Sequence, residues 1–208
     1  MPVKLSFSKA QDDCFGVSKW WGFPDMPDSL EYPEIEVRED GEKYMDPLTF
    51  ICQIRCSDIA PFDKEGLLPH EGMLYFFATL DYFLGNLDAD CPGSSKWGRD
   101  CFKVLYAADI SELHHHRILY DDGTEACLPP ERISFAEGSD DDGFKLLGKP
   151  FFSEISDEYP DMISLLQIDE DDDWGLRFFD CGMLNFLIKR KDLLSLRFNR
   201  TVCVMHSS

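Results

Sequence analysis

Asp169, Asp171 and Asp173 alternate along the chain, with Asp180 closing the stretch. Oxygen ligands at that spacing suit a calcium loop, but such a loop needs glycine at its sharp turn. Trp174 stands at that turn and Gly175 comes one position late. The three aspartates are therefore a candidate for loose divalent-cation binding, set against an acidic hairpin loop between two strands. No other cofactor is expected. His114, His115 and His116 form the one histidine cluster. On a short helical turn, adjacent side chains diverge by roughly 100° each. At most two could then face one ion, with Asp109 and Glu112 nearby, and solvent-exposed histidines are the plainer reading. For nucleophilic catalysis there is no G-x-S-x-G elbow, Walker loop or G-x-G-x-x-G turn. His70 and Cys181 sit at matching strand entrances, but nothing in the sequence brings them within hydrogen-bond reach. No catalytic residue is assigned.

Four residues are candidates for ligand binding. Gln53 and Gln167 each close an apolar run, Thr49–Ile54 and Ile163–Ile168. A buried amide must satisfy its donors and its acceptor. The pair is expected to cross-link backbone between two halves of the molecule, or else to line one central cleft. Trp20 and Trp21 lie in a segment where Pro24 and Pro27 disfavour regular structure. They form either an aromatic lid packed over the core or a recognition surface.

Strands have to position these groups. Gly72-Met73-Leu74-Tyr75-Phe76-Phe77 returns as Gly182-Met183-Leu184-Asn185-Phe186-Leu187. Both copies follow a Gln-Ile pair, which indicates an internal duplication with repeated strand pairs near 48–79 and 163–188. Apolar residues at both odd and even positions of 73–77 predict a strand covered on both faces. Val3, Leu5 and Phe7 alternate with polar neighbours and predict a half-buried strand. Asp40-Gly41 signals a hairpin between 36–38 and 43–45. Ser57 or Asp58 is placed to cap one helical turn. Asp58-Ile59, Asp109-Ile110 and Asp192-Leu193 each follow a strand, the Asp serving free backbone N–H groups as the chain turns. The fold class is mainly β with antiparallel strands and a few short helices in one domain, 1–208, with α+β as the alternative.

The chain has 208 residues with 40 acidic and 20 basic side chains, a net charge of −20. That field repels phosphate backbones and anionic lipid, so neither nucleic acid nor membrane is expected as a partner. It favours solubility, cations or a basic protein partner, a solvated acidic surface being the plainer reading. Neither a leader-like apolar start nor a membrane-length run is present, which suits a cytoplasmic chain whose eight cysteines stay reduced.

The order of several pieces resembles the YwqG-like proteins, a bacterial domain of unknown function (DUF1963). They are Ser18 with Gly22-Phe23-Pro24-Asp25-Met26-Pro27, Tyr32-Pro33, Pro47–Phe50 through Gln53-Ile54, and Leu68-Pro69 with Gly72–Phe77. Leu147-Gly148 with Pro150, Leu165–Asp169 and Asp180–Leu184 follow. The resemblance implies a roll-like β fold and brings no activity or catalytic residues. The chain departs from the family pattern at Trp21, where the first of two glycines is expected, and at Phe178-Phe179, where Trp-Gly is expected. The function indicated is a non-enzymatic, acidic, monomeric protein-binding module, an immunity-type inhibitor of a basic toxin being one version. The alternative is a small-molecule- or metal-dependent enzyme with its pocket between the two halves.

Overall fold

Short β-branched and aromatic runs punctuated by Gly and Pro become fourteen strands in the computed structural model, which describes residues 1–39, 41–120 and 122–207. In chain order these are β1 Val3–Lys9, β2 Lys19–Trp20, β3 Asp25–Met26, β4 Glu34–Glu39, β5 Glu42–Pro47, β6 Thr49–Arg55 and β7 Met73–Ala78. β8 Phe102–Ala107, β9 His114–His115, β10 Glu131–Glu137, β11 Lys145–Leu146, β12 Met162–Ile168, β13 Met183–Lys189 and β14 Val202–His206 complete the set. The α-helices are short: α1 Cys56–Ile59, α2 Ser153–Glu158 and α3 Arg190–Leu194. The protein is mainly antiparallel β, as its sequence predicts.

Ten strands form one sheet in the order β14-β13-β12-β11-β1-β10-β2-β6-β7-β8. The sheet curls into a nearly closed barrel. Phe76 of β7 meets Phe186 of β13 edge-on across the interior, ring centroids 5.4 Å apart. The open edge of β14 is occupied by a loop, where Trp97 N–H donates to Cys203 O and Met205 N–H to Ser95 O. That pairing removes an exposed edge, the usual route to unwanted strand addition.

The strand pairing on the two sides of the sheet recurs residue by residue. Lys19 pairs with Gln53, and Gln53 with Tyr75; Lys145 pairs with Gln167, and Gln167 with Asn185. Each side breaks register at the same place, between Phe50 and Cys52 and between Ser164 and Leu166. A bulge there bends the strand and helps the sheet curl.

β7 is buried on both faces. Leu74, Phe76 and Ala78 point into the barrel, while Met73, Tyr75 and Phe77 join Met26, Leu48 and Phe50 in an outer cluster. The β4–β5 hairpin pairs Arg38 with Lys43 and Val37 with Tyr44, in the register its turn predicts, although Asp40 lies outside the described residues. α1 differs from expectation. Its N-cap position is Arg55 and no side chain caps it, because Asp58 instead accepts the Ser18 hydroxyl at 2.7 Å. Of the three turn aspartates, Asp109 does meet a backbone donor, Ser111 N–H at 2.9 Å.

The two positions where the resemblance leads to an expectation of glycine both fall in left-handed backbone, Trp21 at φ 57° and Phe179 at φ 67°. That conformation costs a side-chain-bearing residue about 1–2 kcal/mol. Burial decides what a return to glycine would do. Trp21 is buried, so Trp21→Gly should cost about 3–5 kcal/mol in lost packing, more than the strain it relieves. Phe179 is 47% exposed and touches only Tyr82 and Phe83 among the rings. Phe179→Gly should therefore change stability by less than about 1 kcal/mol, since relieved strain offsets lost contact and added unfolded-state freedom. Urea midpoints of the two variants check the contrast; a Phe179→Gly protein as destabilised as Trp21→Gly would overturn it.

Candidate functional site

Lys19 and Asp25 flank the Trp20-Trp21-Gly22-Phe23-Pro24 stretch, and positive φ at Trp21 and Gly22 turns the chain back on itself. Both charged side chains are fully buried and paired at 2.9 Å. Burying two charges is costly unless every remaining lone pair and proton is met. Those of the carboxylate are met closely, while Lys19 Nζ adds only a 3.4 Å contact to Asp13 O. Asp25 Oδ2 also accepts Gly16 N–H at 2.8 Å and Gln53 Nε2 at 2.8 Å. Oδ1 lies 2.7 Å from His115 Nδ1. On the main chain, Gln53 Oε1 accepts Asp25 N–H at 2.8 Å, and Tyr75 Oη donates to Asp25 O at 2.7 Å. An ionised carboxylate only accepts, so Nδ1 carries the hydrogen in this pair and Nε2 is left as the basic nitrogen. No Ser or Cys side chain is hydrogen-bonded to that imidazole among the described residues.

The histidines do not form a helical turn. His114 and His115 make β9, which pairs with β3 through Asp25↔His115 and Met26↔His114. Strand geometry sends neighbours to opposite sides. His115 therefore turns in to Asp25, while His114 faces outward, 3.6 Å from Asp28. His116 lies against the Tyr32 ring.

On the other side of the sheet, Gln167 repeats the role of Gln53. Its Nε2 donates to Asp142 O and Gly143 O at 2.9 and 3.0 Å, and its Oε1 accepts Phe151 N–H at 2.8 Å. Each glutamine thus binds backbone within its own side of the sheet rather than across to the other, because the chain that wraps over each amide belongs to the preceding β2 or β11 segment. Phe151 occupies the place of Asp25. The buried Lys145 has no ion-pair partner among the described residues and reaches Asp140 O; burial pulls its pKa down while Asp140, Asp142 and Asp141 oppose the shift.

Over the first side lies a cleft of about 870 Å³. Its walls are Trp21, Phe23, Tyr32 and Phe50, residues 118–120 and 125–128, and the β5 residues Tyr44 and Asp46. The buried network stands behind this wall, since Phe23 packs edge-on to His115 and Tyr32 against His116. Asp46, Asp81 and Glu125 supply the charge. Glu125 is paired with Arg117. Asp81 accepts the Thr49 hydroxyl at 2.9 Å. Asp46 and Asp81 have no ion-pair partner among the described residues. Burial, with Asp81 and Glu34 adding like charge, holds the Asp46 carboxyl above its usual range.

Trp20 is fully buried, stacked on Trp174 at 5.7 Å and tilted on Phe7 at 4.9 Å, while Trp21 is buried yet contributes to the cleft wall. Asp169, Asp171 and Asp173 lie on the turn between β12 and β13, closed by the Asp171–Leu176 bridge. Asp169 accepts Glu170 N–H and Asp171 accepts Trp174 N–H. Trp174 folds inward and anchors the loop, its indole N–H on Glu131 at 3.2 Å. Among the described residues, no three His, Cys, Asp or Glu side chains gather as a metal ion requires. All eight cysteines are free thiols. No helix of the described residues is long and apolar enough to cross a membrane.

Of the residues singled out in the sequence, Gln53 lies in the buried network and Trp21 on the cleft wall, whereas Lys19, Asp25 and His115 were not read as one unit and Asp46 and Asp81 were not singled out. A signal for the first was present: Lys19-x-x-Gly22-x-Pro24 returns as Lys145-x-x-Gly148-x-Pro150. No curated protein matches the chain. A family model does, over residues 18–145 and 121–206, and together these matches take in β2 to β14, the Lys19–Asp25 pair with Gln53 and His115, and the cleft. The chain belongs to the family described as a domain of unknown function (DUF1963).

Proposed function

We propose that this protein is a non-catalytic binding module whose cleft takes a cationic segment of a partner protein. The observation that carries the reading is the pair Asp46 and Asp81, two carboxylates without an ion-pair partner among the described residues, set in an aromatic wall. Aromatic faces attract ammonium and guanidinium groups, and nearby carboxylates strengthen that attraction. The net charge of −20 steers a basic partner toward the molecule. An inhibitor of a basic protein, an immunity-type role, is the version this chemistry suits. Trp21 then acts as a wall of the site and Gln53 as a strut behind it. The recurring strand register supports an internal duplication, after which one copy carries the cleft and the other, with Phe151 in place of Asp25, is structural.

A fluorescent peptide of alternating Arg and Leu, with a Glu-and-Leu peptide as control, tests the reading by anisotropy. The Arg peptide should bind, the Glu peptide should not, and Asp46→Asn with Asp81→Asn should weaken binding about tenfold or more, equivalent to ~1.4 kcal/mol. Affinity should also fall as pH drops, beginning above the usual aspartate value of 3.8, since Asp46 takes up its proton early and the charge that holds the cation is lost. Equal binding of both peptides, or no effect of the double substitution, would overturn the reading.

A further inference from the structure

A second cleft, of about 410 Å³, opens where β6 and β8 end and β7 begins. Arg55, Ser57, Glu71, Asp109, Ile110 and Ser111 supply its side chains. It exists because Gly72 brings no side chain to a point where backbones crowd, its ideal Cβ position lying 3.1 Å from Ala108 Cα. Two charges of opposite sign are held there from behind. Arg55 is half-buried and spends one bond on the Gly16 carbonyl, Nη1 to O at 3.1 Å. A guanidinium carries five N–H donors, and no carboxylate lies within 4 Å of this one among the described residues. In a chain with twice as many acids as bases, that is a cation left available. Asp109 is fixed by Ser111 N–H, which lowers its pKa and keeps it charged. Neither it nor Glu71 has an ion-pair partner among the described residues.

The ligand class follows from the charges. A simple anion drawn to Arg55 meets Glu71 and Asp109. A simple cation drawn to the carboxylates meets Arg55. A small molecule carrying both signs satisfies both ends, with the Ser57 and Ser111 hydroxyls to share the bonding and Ile110 as an apolar wall. We propose that this cleft binds a free α-amino acid, its carboxylate on the Arg55 fork and its ammonium toward Asp109 and Glu71. Planar, two-pronged recognition of carboxylate is what arginine does best. This site is separate from the aromatic cleft and does not depend on the reading given for it.

Isothermal titration with glycine, L-alanine, L-serine and L-leucine, beside ethylamine and propionate, tests the proposal on the full chain. At least one amino acid should bind at millimolar concentration or tighter, with ethylamine and propionate weaker by about tenfold or more. Arg55→Gln and Asp109→Asn should each reduce amino-acid binding by a similar factor, and Arg55→Lys should restore part of it as a point charge without the fork. Asp109 is exposed, so its substitution leaves the fold intact, and thermal melts confirm folding of each variant. No binding by any of the four amino acids, equal binding of propionate or ethylamine, or undiminished binding in folded Asp109→Asn would each overturn the proposal.

Discussion

Gly72→Ala should lower stability by about 2–5 kcal/mol, combining left-handed strain with forced overpacking. Gly72 has φ +84°, and an added Cβ would stand 2.2 Å from Ala107 O and 2.9 Å from a Tyr106 ring carbon. The ring can swing, but the carbonyl cannot, because Met73↔Ala107 is the first pair of the β7–β8 ladder. Relief therefore means prising β7 from β8, which opens the outer cluster of Met73, Tyr75 and Phe77. Against a total stability of about 5–15 kcal/mol, that loss is large. Gly85→Ala separates the two causes. Gly85 has φ +103° with nothing near its Cβ position, so only strain is at stake, about 1–2 kcal/mol. Gly182→Ala tests the other limb, since its Cβ would lie 2.1 Å from Phe178 O. Urea denaturation of the three variants should rank Gly72→Ala as the most damaging. If Gly85→Ala is as harmful as Gly72→Ala, the clash with Ala107 is not what matters.

The same glycine shows how far a sequence carries an argument. Gly72 and Gly182 each open a double-faced apolar strand, and the repeat placed β7 and β13 correctly as buried centres with a Gln-Ile strand beside each. Periodicity reports burial, and burial of both faces is written in consecutive apolar residues. β2 and β11 were invisible to it. Two-residue strands have no period, and Pro24 and Pro150 mark them as loop. They exist because Lys19 and Lys145 pair with Gln53 and Gln167, a long-range match that no local window contains. The partners of His115 and Asp25 are hidden for the same reason, being 90 residues apart in the chain. Asp46 and Asp81 were lost among 40 acidic residues, where only the absence of a nearby cation distinguishes them.

Asp25→Ala should cost about 3–5 kcal/mol, the usual penalty for leaving one member of a buried ion pair unmatched. Four donors would lose a partner at once: Lys19 Nζ, Gly16 N–H, His115 Nδ1 and Gln53 Nε2, the last keeping Val17 O. Lys19 would keep only a long contact to Asp13 O, at 3.4 Å. The native Lys145 shows the cost of burying a lysine, since burial pulls its pKa below the usual value of 10.5. The sign of the linkage follows. The unfolded chain binds that proton more readily than the folded one, so stability should rise with pH through the window below 10.5. Adding Lys19→Met should recover part of the loss at neutral pH, because an apolar side chain of similar length carries no desolvation penalty. Loss of the His115 anchor should also loosen the Phe23 wall, so peptide binding in the aromatic cleft should weaken in the double variant even where stability returns. Urea midpoints across pH for the single and double variants measure the first effect and anisotropy the second. A single variant as stable as the parent, or a double variant no better than the single, would mean that the Lys19–Asp25 pair is not what holds this turn in place.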